Sequence, residues 1–186
     1  MKIAITAQNC GKNSMRYLWT VKSATRIVFM SKHELTHVLL GLVYAWFLRE
    51  WWGEFSTRQI LWVVFASLLP DIDHLVFFFF YGRNDPYSKQ VKRLLKDGQI
   101  SSLISFIMKG HKHNTNLWSH NIYIIFIFLF GAFFSYQFDW KIGVVLFGAM
   151  ILHFIFDIVD DLLILHGLNP NWKRWGREKR VGQGLQ

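Results

Sequence analysis

The sequence predicts an all-α polytopic membrane protein with about four transmembrane helices and one surface-lying cytoplasmic segment. Three observations carry this expectation. The chain of 186 residues is 52% apolar and 18% charged, with 18 Phe, 9 Trp and 3 Pro. Its apolar residues form long blocks, four of them at or near the roughly 20 helical residues that cross a bilayer core. Its Lys and Arg residues, 21 in all, are segregated between alternate blocks, the pattern that orients membrane proteins. The composition excludes disorder and collagen-like repeats. A single cysteine, Cys10, excludes a disulfide scaffold, a four-cysteine zinc ribbon and a CxxC redox site.

Residues 1–31 form a basic N-terminal arm without the small-residue cleavage site of a secretory signal, and no chemistry attaches to it. The spans are expected at Leu35 to Trp52, Ile60 to Tyr81, Ile122 to Phe138 and Ile142 to His166. Between the second and third, the turn-like GRNDP leads into a basic amphipathic stretch around VKRLLK and a short apolar ISSLISFIM. The last is too short to cross, so this stretch is expected to lie on the membrane surface. A basic tail, 173–186, follows the helix-ending GLNPNW. Only Arg49, near the end of the first span, and Arg58 and Lys141, in the two short connections, lie on the other side. The positive-inside rule then makes the basic face, with both termini, cytoplasmic, in the plasma (inner) membrane of a prokaryote. The net charge of +9 is thereby accounted for as topology, and no nucleic-acid partner is expected.

Ionisable residues inside these spans are the chemical signal, because each costs at least about 2.5 kcal/mol to insert. His33 and His37 open the first span on one helical face. Pro70, Asp71, Asp73 and His74 close the second as PDIDH. His111, His113 and His120 precede the third, and His153 and Asp157 stand one turn apart in the fourth, followed by Asp160 and Asp161. The up-and-down topology brings all four groups to the cytoplasmic end. A divalent metal relieves the cost of burying imidazole and carboxylate together. Nitrogen and oxygen donors without thiolate suit zinc, with manganese possible, and fit a catalytic site. His33 to His37 also reads HELTH, a literal HExxH with Glu34 in the position of the base, although it sits at a helix start rather than within a helix.

THVLLG after the first His, LLPDIDH, an HxH leading to SHN, and LHFIFDIVDDLL followed by GLNP together resemble the inner-membrane metal-dependent hydrolases described as YdjM-like and LexA-binding. The resemblance covers about residues 32 to 172 and implies that they form a membrane-embedded hydrolase-like domain. That family is in turn distantly similar to zinc-dependent phospholipase C. The resemblance implies His37, Asp71 or Asp73, His120, His153 and Asp157 as metal ligands, with His33, His74, His111 and His113 in outer positions or on a second metal. HKHNTNLWSHN departs from the family pattern by a longer spacing without Gly, which leaves the choice between His111 and His113 open.

The expected function is metal-assisted hydrolysis of an ester or phosphoester in a lipid or other membrane-associated substrate. A divalent ion activates water and polarises the bond, and Asp73 or Glu34 acts as general base. The alternatives are a non-enzymatic adaptor that docks a soluble protein partner on the basic loop, and an ion or proton carrier. A carrier needs polar residues along the whole crossing, and the halves of the spans near Trp51 and Lys141 have almost none.

Overall fold

A computed structural model describes residues 32–114 and 117–173, so the N-terminal arm and all of the basic tail beyond Lys173 lie outside the described residues. The described residues are helical, with no strand. Helix α1 covers residues 32–52. A second helical path, Thr57–Tyr81, is a composite of α2 (Thr57–Leu68), a 3-10 turn (Leu69–Asp71), α3 (Ile72–Val76) and a π-turn (Phe77–Tyr81). Then come α4 (Pro86–Lys96), α5 (Ile100–Asn114), α6 (Ile122–Gln137), α7 (Lys141–Leu165) and a 3-10 turn at Pro170–Lys173.

Thr57–Tyr81 and Lys141–Leu165 are each 25 residues and apolar enough to cross a membrane. The expected third span is the apolar α6, whose 16 residues reach only about 24 Å at 1.5 Å per residue, short of a hydrocarbon core of about 30 Å. The expected surface segment folds as α4 and α5. In α4, Asp85 caps the helix by accepting from the Tyr87 N–H, and Pro86 stands at the first turn, where no N–H is needed. Tyr87, Val91 and Leu94 face the protein, while Lys89, Arg93 and Lys96 face out. Ser56 and Gln59 form a capping box that starts α2.

Helix α7 is the central element, packed between α2 and α6. Ala45 and Leu48 of α1, Val63 and Ala66 of α2, and Val145 and Ala149 of α7 form its main core. Two glycines allow the close approach. A Cβ at Gly41 would collide with the Ser67 hydroxyl, and one at Gly148 with the ring of Tyr44, whose hydroxyl donates to the Val144 carbonyl at 3.0 Å. Gly41 lies one turn beyond His37, so the α1–α2 approach also sets how far His37 reaches into the bundle.

Gly41→Ala is expected to destabilise the fold by about 1–3 kcal/mol through overpacking against Ser67. Gly167→Ala, where an added Cβ meets nothing, should stay within about 0.5 kcal/mol of wild type. Thermal unfolding in detergent, the two variants side by side, measures both.

Candidate metal centre

The polar groups sit where α1 and α6 begin, and each is placed by a local feature. His33 and His37, four apart on α1, share a face, and their Nε2 atoms lie 3.1 Å from each other. Pro70 interrupts the second helical path. It has no N–H to return to Ser67 in the i→i+3 pattern of its 3-10 turn, and the Ser67 carbonyl instead accepts from His153 Nδ1–H at 2.6 Å. That hydrogen bond fixes the His153 tautomer and leaves Nε2 as the ring's lone-pair nitrogen. The same turn brings Asp71 Oδ1 to 3.7 Å from His153 Nε2.

Asp157 is the point of convergence. Its Oδ1 lies 3.3 Å from His37 Nε2 and 3.6 Å from His33 Nε2. Its Oδ2 lies 3.2 Å from His153 Nε2 and 3.4 Å from His120 Nε2. His37 and His153, each 1% exposed, stack with ring centroids 3.7 Å apart. Burial disfavours a charged His120, but hydrogen bonding to Asp157 and Asp73 outweighs it and pushes its pKa up to about 9. A cation bound by this ring therefore displaces a proton.

Four groups of three donors have their ligand atoms within 4.8 Å of one another: His33, His37 and Asp157; His37, Asp71 and His153; Asp71, His74 and His120; His120, His153 and Asp157. His153 Nε2, His37 Nδ1 and Asp71 Oδ2 are buried without a hydrogen-bond partner. Unpartnered buried nitrogen and carboxylate oxygen of this kind are costly alone and complementary to a cation. The donor set therefore fits a divalent metal.

Of the sequence-derived candidates, His33, His37, Asp71, His74, His120, His153 and Asp157 meet in these groups. Asp73 stands apart. Its carboxylate accepts from the Tyr81 hydroxyl at 2.7 Å, the Ser119 N–H at 2.8 Å and the Ser119 hydroxyl at 2.7 Å. Glu34 is exposed beside Asp71. His111 and His113 are on the last turn of α5, with their side chains outside the described part of the structure. Asp161 serves the C-terminal segment, accepting from Trp172 Nε1–H at 2.7 Å, and the Trp172 ring packs on Phe154 and His120. Sequence reasoning gave no role to Ser67, Tyr81, Ser119 or Trp172, all of which act by holding a neighbour, although two of the quoted motifs, SHN and GLNPNW, contain Ser119 and Trp172.

Residues 30–168 match the YdjM inner membrane protein family. The match spans well over half of the chain, which belongs to that family and associates with the lipid bilayer. No curated protein and no solved structure matches it.

Zinc added to metal-stripped wild type is expected to raise its unfolding midpoint, by the equivalent of about 2.7 kcal/mol at a hundred times the dissociation constant. Asp157→Asn, which keeps the shape but removes the charge between four imidazoles, should abolish that shift. Differential scanning fluorimetry across a zinc series reads both.

Proposed function

For this member of the YdjM inner membrane protein family, we propose a membrane-bound, metal-dependent hydrolase. It acts on an ester or phosphoester of a lipid or membrane-associated substrate at the cytoplasmic interface. The observation that carries the reading is Asp157, a buried carboxylate with two imidazole nitrogens directed at each oxygen. Zinc is the cation we infer, with manganese next, because the donors are imidazole and carboxylate. His120, His153, Asp157 and Asp71 would hold it, with His33 and His37 available to a second position sharing Asp157 and His74 beside Asp71 and His120. The cation supplies Lewis acidity at the bond to be broken and makes water a usable nucleophile near neutral pH.

The remaining roles fall to the chain's own groups. Glu34, exposed at the edge of the cluster, is the general base. Asp73 is a poorer base because its oxygens already accept three hydrogen bonds. Leu35, Leu39, Ile72 and Leu75, on the helices that carry the cluster, are exposed, which favours a substrate arriving laterally from the bilayer. In our reading α1 and α6 join the two long helices as spans, giving four crossings with both termini cytoplasmic. The segregated Lys and Arg residues support that orientation.

In nanodiscs, zinc-loaded wild type should release the headgroup or acyl chain of a phospholipid, as followed by mass spectrometry. Glu34→Gln should lower the rate by about 10²–10⁴-fold with zinc content unchanged. Inactivity of the zinc-loaded protein toward every lipid class would overturn the lipid substrate.

A further inference from the structure

The π-turn at Phe77–Tyr81 is closed by the Gly82 N–H on the Phe77 carbonyl at 2.9 Å, an i→i+5 bond. In an unbroken α-helix, residues eight apart, such as Asp73 and Tyr81, stand about 80° apart around the axis. The wider π-turn advances fewer degrees per residue and takes up this offset. The Tyr81 hydroxyl consequently reaches back to Asp73 Oδ1 at 2.7 Å and also accepts from the Trp118 N–H at 3.1 Å. Tyr81 and Asp73 together hold the non-helical segment that leads from Leu117 to His120.

The hydrogen atoms in this network can be followed to the site. Asp73 receives three hydrogen bonds and, as a carboxylate, has none to give. The Ser119 hydroxyl therefore spends its proton on Asp73 Oδ2. Its contact with His120 Nδ1, at 3.1 Å, is then completed by a hydrogen on the ring nitrogen. With Nδ1 protonated, Nε2 is the ring's ligand atom, and it faces Asp157 Oδ2 at 3.4 Å. His153 is held in the same sense by the Ser67 carbonyl.

We propose that the Tyr81–Asp73–Ser119 network is a positioning device that keeps the His120 proton on Nδ1 and so presents Nε2 to the metal, with the π-turn there to complete it. This rests on the metal reading above and deepens it. Ser119 and Tyr81 are positioning residues, and neither is a ligand.

The test uses the full chain in nanodiscs with zinc as the probe. Histidine-labelled ¹⁵N spectra of wild type, assigned by comparison with His120→Asn, should show His120 protonated at Nδ1 and bound to zinc through Nε2. Ser119→Ala should weaken zinc binding by about 10–100-fold, and Ser119→Thr, which restores the hydroxyl, should recover it. Tyr81→Phe removes one donor to Asp73 while keeping the ring, and should fall between them. A structural role alone would lower the unfolding midpoint without moving zinc affinity or the ring nitrogen spectrum. Zinc bound by Ser119→Ala as tightly as by wild type, or His120 ligated through Nδ1, would overturn this proposal and leave the metal reading standing. Failure of wild type to bind zinc would overturn both.

Discussion

A carboxylate with little access to water needs positive charge or hydrogen bonds around it, and Asp157 is ringed by imidazole nitrogens drawn from three parts of the chain, an arrangement that a shared cation would complete. His33 and His37 come from α1, His120 from the segment before α6, and His153 from one turn earlier in α7. The elements that frame the bundle are thus tied at one end by a single side chain. The opposite end is held by apolar packing and by an exposed ion pair, Lys141 to Glu54 at 3.1 Å, of the kind that contributes little. Breaking the Asp157 set would leave several buried polar groups uncompensated at once, which is the costly direction of change for such clusters.

The irregularities of the backbone follow from that arrangement. The second helical path would run unbroken as an apolar helix, but it is interrupted twice within a dozen residues. Pro70 and its 3-10 turn turn Asp71 toward His153 and leave the Ser67 carbonyl to hold the His153 ring. The π-turn then brings Tyr81 onto Asp73. Gly41 allows α1 to lie against Ser67, close enough for His37 to stack on His153. Each departure from regular helix lies beside a ligand candidate or the residue that holds one, in keeping with the tendency of π-turns to mark functional sites.

How much of this was legible depends on whether a feature repeats or is unique. The helical class and the approximate ends of α1, the second path and α7 follow from long apolar blocks and from the helix-ending GLNPNW. The pairs His33/His37 and His153/Asp157 were legible because a spacing of four places both members on one face. The choice between Asp71 and Asp73 was not, since two residues on a helix point to different sides and only the fold decides which side is which. Tyr81 and Ser119 were illegible for another reason. FFFFY reads as a uniform apolar run, and nothing in it announces the wider turn that rotates Tyr81 by most of a right angle. Ser119 acts through Asp73, 46 residues away in the chain, a relation without any local period.

A cation between buried imidazoles and carboxylates accounts at once for the donor geometry, the unpartnered His153 Nε2 and Asp71 Oδ2, and the polar cluster in an inner-membrane protein. The most direct measurement is the metal content of the protein purified in detergent, by elemental mass spectrometry, wild type beside His153→Ala and Asp157→Ala. The account predicts about one or more equivalents of zinc or manganese in wild type and loss from both variants. Well-folded wild type that stays free of metal even after supplementation would contradict it and leave a polar cluster that only packs helices together.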